Sequence, residues 1–186
     1  MLCKKLHHAA YRCKDARETT EFYTKILGLK FSHAMGEDHV PSTGLYSPQV
    51  HIFFELEDGS NIAFFEVPEA PGHMRDMEMP DWIQHFAFEV ESVQALLKAK
   101  QDLERKGLKV VGPTNHDDFL LSIYFFDPSG HRLELAARLC GAERHGEFER
   151  EAPQVLQLWE QTHDWSQREK FFGAQHGYAR KPKVTA

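Results

Sequence analysis

Apolar and polar positions along this chain form a pattern that occurs twice. Residues 6–13, LHHAAYRC, and residues 83–90, IQHFAFEV, both read apolar-x-His-x-Ala-aromatic-x-apolar, a pattern typical of a strand. Apolar residues at helical spacing follow each segment, and in the first copy a capping box at residues 15–18 precedes them. Both predicted helices end at the phrase Gly-Leu-Lys, where Gly28 and Gly107 suit the left-handed conformation that terminates a helix. The pattern therefore predicts one strand–helix unit used twice.

Each copy then ends in an apolar hairpin. The first, VHIFFELEDGSNIAFFEV, turns at Asp58-Gly59, and the second, LSIYFFDPSGHRLELAA, turns at residues 127–130. We therefore predict an α+β fold of two βαβββ modules, followed by a helix from about residue 153 to 171 that begins at Pro153. The predicted divisions are a first module at 1–67, a linker at 68–81, a second module at 82–140, and a C-terminal helical extension and tail at 141–186.

Composition and charge narrow the function classes. The 186 residues include 22 basic and 28 acidic side chains, for a net charge of −6, and no basic cluster, which disfavours nucleic-acid binding. The chain begins without an apolar run long enough for a signal peptide or a membrane span, so we expect a cytoplasmic protein with no membrane partner. Cys3, Cys13 and Cys140 show no CxxC pairing and are expected to be reduced thiols.

Two histidines and two glutamates occupy matching places in the two copies. Because strand side chains alternate, His8 and His85 should share the small-residue face of their strands, and His7 should face the helix. Glu134 lies between two leucines that should point toward the helix, so its carboxylate should face the histidines, and the same reasoning puts Glu66 there. Two imidazoles and two carboxylates suit a first-row divalent ion. The alternative is two His–Glu pairs without a metal.

Three further polar side chains are candidates for catalysis. Pairing back from the first turn sets His51 opposite Glu66, as an acid/base or a hydrogen-bond partner of a ligand. In the second hairpin a type I turn with a glycine bulge pairs Tyr124 with Glu134 on one face, whereas a tight turn moves Tyr124 to the helix side. His116, in the loop before that strand, either overhangs the pocket or is an exposed loop histidine.

The segments HHAAYRCKDARETTEFYTKILGLKF, IQHFAFEV and YFFDPSGHRLEL together resemble the vicinal oxygen chelate superfamily, which includes glyoxalase I, extradiol dioxygenases, and the fosfomycin and bleomycin resistance proteins. The resemblance covers residues 5–137. It implies that the paired βαβββ modules form an eight-stranded cup around one metal ion, with His8, Glu66, His85 and Glu134 at the metal-facing positions. Fe(II) is the expected ion, with Mn, Ni, Zn or Co as alternatives. The implied substrate is a small molecule that chelates the ion through two vicinal oxygens.

The resemblance leaves three kinds of function open. Four protein ligands leave two positions on an octahedral ion, as in glyoxalase I, a lyase with metal-assisted proton transfer next to a carbonyl. A triad of His8, His85 and Glu134 leaves a third position for dioxygen, as in extradiol dioxygenases, which cleave catechol-like aromatics at Fe(II). The third class is a resistance-type protein that binds a drug without chemistry. We expect the dioxygenase, with the glyoxalase-like enzyme as the alternative.

Three further residues bear on the choice between a dioxygenase and a glyoxalase-like enzyme. Tyr124 and His116 resemble the residues that contact the catecholate and the oxygen in extradiol enzymes. Ser60 stands where those enzymes carry their acid/base histidine, a departure that leaves the proton-transfer role to His51.

We expect a homodimer. The segment between Glu66 and His85 is long enough for the modules either to pair within one chain or to exchange with a second subunit, so that each site draws ligands from two chains.

Overall fold

A computed structural model of the chain describes residues 2–69 and 73–172. The strands are β1 (His8–Arg12), β2 (Lys30–His39), β3 (Tyr46–Glu55), β4 (Asn61–Glu66), β5 (His85–Val90), β6 (Val111–His116), β7 (Leu120–Phe126) and β8 (Arg132–Arg138). The helices are α1 (Ala16–Glu21), which continues as a π-helical turn (Phe22–Ile26), α2 (Val93–Arg105), α3 (Ala142–Thr162) and, after a 3₁₀ turn (Trp165–Gln167), α4 (Arg168–Phe172).

Each βαβββ module forms one four-stranded sheet. The first sheet has the order β1-β4-β3-β2, and the second has the equivalent order β5-β8-β7-β6. In the first sheet β1 runs parallel to β4, and the other neighbours are antiparallel. These sheets, with a helix after the first strand of each and a C-terminal helix, confirm the predicted fold class.

The described residues divide into two compact units. The first unit comprises the described residues of 2–86, 102–110 and 124–134. It contains the whole first sheet together with the beginnings of β5 and β8 and the end of β7. The second unit comprises residues 87–101, 111–123 and 135–172.

Local signals in the sequence fix the ends of α1 and α2. The carboxylate of Asp15 accepts a hydrogen bond from the backbone N–H of Glu18 at 2.7 Å, which is the predicted cap of α1. Gly28 and Gly107 have φ values of 77° and 87°, a conformation that costs glycine little and other residues more. Both predicted helix ends are therefore confirmed.

Aromatic packing forms the core of the first unit. The Tyr23 ring stacks on Phe54, with ring centres 5.1 Å apart, and leans on Phe64 at 4.9 Å. All three side chains are fully buried. Because each such ring removes a large apolar area from water, this cluster holds the helix that begins with α1 against one face of the first sheet.

A buried carboxylate holds the turn between β7 and β8. The Asp127 N–H donates to the His131 carbonyl, and Gly130 has a φ of 85°, so the turn has the glycine bulge considered for this hairpin. The Asp127 carboxylate accepts from the backbone N–H groups of Ser129 and His131 at 2.9 and 2.8 Å, and from the Tyr23 hydroxyl at 3.1 Å. Burial raises the pKa of Asp127, although these donors and His131 oppose the shift.

The C-terminal helix begins earlier than predicted. It starts at Ala142 rather than near residue 153, and Pro153 lies inside it instead of at its first turn. Proline is common in the first turn of a helix but is not confined to it, so Pro153 alone does not mark where the helix starts. The helix ends before His163, which has a φ of 47°. Within the described ranges, none of the helices has the length and apolar character needed to cross a membrane.

Replacing Asp127 with Asn tests whether the turn needs the shape of this side chain or its charge. Because burial raises the carboxyl pKa in the folded protein, its contribution to stability is full below the unfolded pKa of about 4 and is lost as the pH rises through the folded pKa. Asn has no such loss and offers the same acceptor to two N–H groups. We expect Asp127→Asn to gain stability relative to the wild type from about pH 4 to pH 7, as measured by urea unfolding.

The control is Asp127→Ala, which removes the acceptor altogether. It should lower the free energy of unfolding by about 2–3 kcal/mol near pH 4, because the N–H groups of Ser129 and His131 lose their acceptor, and by less at pH 7, where the wild type has itself lost stability. A loss of stability of Asp127→Asn relative to the wild type as the pH rises from about 4 to 7 would contradict the assignment.

Candidate functional site

His85 and Glu134 form a close pair in the first unit. The Nε2 atom of His85 lies 2.9 Å from Oε2 of Glu134, and their side chains are 30% and 6% exposed. A carboxylate this deeply buried requires a polar or charged partner, and the imidazole provides one. The sequence predicted that these two side chains face each other, and the structure brings them together.

The second nitrogen of His85 determines how the pair is protonated. Its Nδ1 lies 3.0 Å from the carbonyl oxygen of Ile83. A carbonyl only accepts hydrogen bonds, so Nδ1 carries the hydrogen. A neutral imidazole then presents its Nε2 lone pair to the carboxylate of Glu134, which also has only lone pairs, and a cation must lie between them. A proton or a divalent metal ion meets this requirement, and metal-binding histidines commonly donate their other N–H to a carbonyl in this way.

Tyr124 and Arg132 accompany the pair. The centre of the buried Tyr124 ring is 6.2 Å from that of His85. Arg132 is two positions before Glu134 in β8, so both side chains project from the same face, and its guanidinium carbon lies 4.1 Å from the centre of the Tyr124 ring. Arg132 is not among the site residues predicted from the sequence, although its spacing of two residues from Glu134 is a signal for it.

His8 begins β1 and is hydrogen-bonded to its neighbour. The Nδ1 atoms of His7 and His8 are 2.8 Å apart, so one ring donates and the other accepts. This bond occupies Nδ1 of His8 and leaves Nε2 as the nitrogen available to a ligand. His7 precedes the strand, so the alternation from which it was predicted to face the helix does not apply.

His51 shares the face of the first sheet on which His8 lies. Its ring stacks on Phe65 at 3.6 Å, contacts Phe53 at 4.0 Å, and is 5.8 Å from the His8 ring. Burial, followed by the nearby His8 and His33, lowers the pKa of His51 to about 4, so the imidazole is neutral at neutral pH. Its buried Nε2 has no hydrogen-bond partner among the described residues.

Glu66 lies on the opposite face, beside the start of α1. Its Oε2 accepts a hydrogen bond of 2.6 Å from the backbone N–H of Ala16, one of the helix groups without an intrahelical partner. The prediction that Glu66 shares the face of His8 is therefore wrong. In β4 that face is occupied by Ala63 and Phe65, since Ala63 pairs with Ala10 of β1.

The apolar pattern of β4 explains the error. Phe64 and Phe65 are adjacent and both aromatic, so alternation does not distinguish the two faces of the strand. Phe64 packs on Tyr23 beneath the helix, and Phe65 packs under His51 on the other side.

The first hairpin also has a different register from the predicted one. The Leu56 N–H donates to the Ser60 carbonyl, and of the two predicted turn residues only Gly59 has a positive φ, of 76°. This is a three-residue loop and not a two-residue type I′ or II′ turn, since both of those need a positive φ at the first central residue, here Asp58. As a result His51 pairs with Phe65 rather than with Glu66.

The predicted site residues do not form a complete metal centre within one chain. Residues 2–69 and 73–172 contain no group of three or more His, Cys, Asp and Glu side chains arranged to hold a metal ion. His8 and His51 form one cluster, and His85 and Glu134 form another. His116 ends β6 in the second unit, where it is exposed.

Comparison with known proteins extends this picture. The family described as the Glyoxalase/Bleomycin resistance protein/Dioxygenase superfamily matches residues 5–135. The Bacillus subtilis protein YwkD is 30% identical over 139 residues, which cover 73% of this chain and 98% of that protein.

Two solved structures illustrate the similarity in fold. A glyoxalase/dioxygenase from Nostoc punctiforme is 25% identical, with a TM-score of 0.53, and the match covers 73% of this chain and 91% of that one. A variant of FosX, a fosfomycin resistance protein from Listeria monocytogenes, complexed with Mn(II) and dihydroxypropylphosphonic acid, is 20% identical with a TM-score of 0.52. That match covers 77% of this chain and 98% of that one.

A substitution at Glu66 tests its role at the start of α1. Glu66→Ala removes the acceptor for the Ala16 N–H and a negative charge near the helix N-terminus. We expect the free energy of unfolding to fall by about 1–2 kcal/mol, measured by urea denaturation. The matched control is Glu91→Ala, since Glu91 is exposed and should change stability by less than about 0.5 kcal/mol. Equal effects of the two substitutions on stability would show that Glu66 does not stabilise the start of α1.

Proposed function

Because the chain belongs to the glyoxalase/bleomycin resistance protein/dioxygenase superfamily, we propose that it is a metal-dependent enzyme of the vicinal oxygen chelate type, an extradiol-type dioxygenase that cleaves a catechol-like aromatic. The superfamily includes metalloenzymes with different chemistries, so the choice among them depends on this chain's own residues. The observation that carries the proposal is the hydrogen bond between Glu66 and Ala16, which engages one predicted ligand elsewhere.

Without Glu66, the ligand set becomes two histidines and one carboxylate: His8, His85 and Glu134. Three protein ligands leave three positions on an octahedral ion, two for vicinal substrate oxygens and one for dioxygen. A glyoxalase-like site with four protein ligands would lack the third position. Fe(II), when bound, supplies the one-electron chemistry that dioxygen requires, and Mn(II) is the alternative.

The remaining residues suit a planar aromatic substrate. Phe53 and Phe65 provide apolar rings on the face that carries His8, and His51 adds a neutral imidazole among them. A neutral imidazole can accept a hydrogen bond from a phenolic hydroxyl, which would orient the substrate at the position left open by Ser60. The Tyr124 ring, close to His85, would border the bound substrate on the other side.

We further propose that the complete site draws on two copies of the chain in a homodimer. His8 would come from one protomer, and His85 with Glu134 from the other. The absence of a three-ligand group in the described part of one chain supports this arrangement. It also explains why His85 and Glu134 are already paired while His8 lies in a separate cluster.

Metal stoichiometry of mixed variants tests both the ligands and the exchange. His8→Ala and His85→Ala, each alone, should lose nearly all bound Fe(II), whereas Glu66→Ala should retain it. Refolding the two histidine variants together should restore metal to about a quarter of all sites, because half the dimers are mixed and each has one intact site. Metal content is measured anaerobically by a colorimetric iron assay.

Other outcomes separate the parts of this proposal. No recovery in the mixture, with both single variants metal-free, would favour a site built within one chain. Loss of metal in Glu66→Ala would restore Glu66 as a ligand and favour proton-transfer chemistry.

Oxygen consumption tests the reaction itself. The Fe(II)-loaded protein, mixed with 2,3-dihydroxybiphenyl or catechol and air, should take up oxygen and form a yellow ring-fission product. Glu134→Gln should reduce the rate by about 100-fold or more, in line with the loss of a metal ligand or its close partner. The result that would overturn the dioxygenase is no uptake with any catechol, together with activity of the Ni(II) or Zn(II) form on a hemithioacetal.

A further inference from the structure

Arg132 is a partly buried cation without a carboxylate partner among the described residues. Its guanidinium group lies over the Tyr124 ring at 4.1 Å, and no Asp or Glu side chain of residues 2–69 and 73–172 forms an ion pair with it. Elsewhere in the first unit, Arg75 pairs with Asp81, and Arg12 donates a hydrogen bond to the Val67 carbonyl. A cation that is half removed from water favours a negatively charged partner.

The contact of Arg132 with Tyr124 is between a cation and an aromatic ring, and such a contact does not require a hydrogen bond from the guanidinium. The guanidinium carries five N–H donors in one plane. Two parallel N–H groups match the two oxygens of a carboxylate. Tyr124 therefore holds Arg132 in place without competing for an anion.

A cavity lies directly beside this group, within the first unit. It is a shallow cavity that opens to solvent, and its lining includes Arg132, His85, Tyr11 and Phe86. The rings of Tyr11 and Phe86 pack edge to face at 4.5 Å and give the cavity an apolar wall. The cavity thus combines a cation, an aromatic surface and the imidazole of the candidate metal site.

The other charged groups of the cavity already have partners. Asp81 is paired with Arg75, and the Asp76 carboxylate accepts the backbone N–H of Glu78. The His131 ring hydrogen-bonds to the Arg12 carbonyl. Arg132 is therefore the group in this cavity with the strongest unmet demand for an anion.

We propose that this cavity binds the carboxylate of an aromatic acid, with Arg132 as the specificity-determining residue. The ring of the acid packs on Tyr11 and Phe86, and its carboxylate forms a two-point salt bridge with the guanidinium. Binding of the acid in this cavity does not depend on the proposed function, in which the substrate ring lies against Phe53 and Phe65 instead.

The experiment uses the metal-free protein, so that binding is measured independently of catalysis. Phenylacetate is the anionic probe and benzyl alcohol the neutral one, with affinities measured by isothermal titration calorimetry and by chemical-shift perturbation. Arg132→Gln should weaken phenylacetate by about 10- to 100-fold, the effect of removing a hydrogen-bonded charge, and leave benzyl alcohol unchanged. Arg132→Lys, which keeps the charge but not the paired donors, should fall in between.

The matched control is Arg138→Gln, further along β8, whose guanidinium pairs with Glu89. It should leave both affinities unchanged. Equal weakening of the two probes by Arg132→Gln, or no weakening of phenylacetate, would overturn the proposal, and circular dichroism establishes that each variant is folded. If phenylacetate binds through Arg132 while no catechol supports oxygen uptake, the proposed function fails and this binding site remains.

Discussion

The buried carboxylate of Asp127 is the constraint on which the site depends. It accepts two backbone N–H groups of its own turn and the hydroxyl of Tyr23, a residue of the aromatic core beneath the first sheet. This one side chain therefore sets the shape of the turn and anchors it to the core. Because β8 begins directly after the turn, the positions of Arg132 and Glu134 follow from the same three hydrogen bonds.

Much of the fold was predictable because its signals are local. A carboxylate at the start of α1 and glycines at Gly28 and Gly107 act within a few residues, so their effect can be inferred from sequence. The pairing of His85 with Glu134 was predictable for a related reason. Glu134 is flanked by leucines and stands in a strand with a clear alternation, so its face was unambiguous.

The face of Glu66 was predicted wrongly because the local signals around it are ambiguous. In β4 two adjacent phenylalanines make both faces apolar, and the loop before the strand is one residue longer than its Asp-Gly sequence suggested. Either feature is enough to misplace Glu66, because a shift of one residue moves a strand side chain to the other face. The orphaned nitrogen of His51 was beyond prediction for another reason, since it depends on the packing of the ring against Phe65 and His8, which are distant in sequence.

The hydrogen bond from His85 to Ile83 has a consequence for how this site tolerates mutation. The acceptor is a main-chain carbonyl, which every amino acid possesses, so no single substitution at position 83 deletes it. The orientation of the His85 imidazole therefore does not depend on which side chains occupy the segment that precedes β5. That segment is free to diverge and reshape the cavity wall, while the nitrogen turned toward Glu134 keeps its direction.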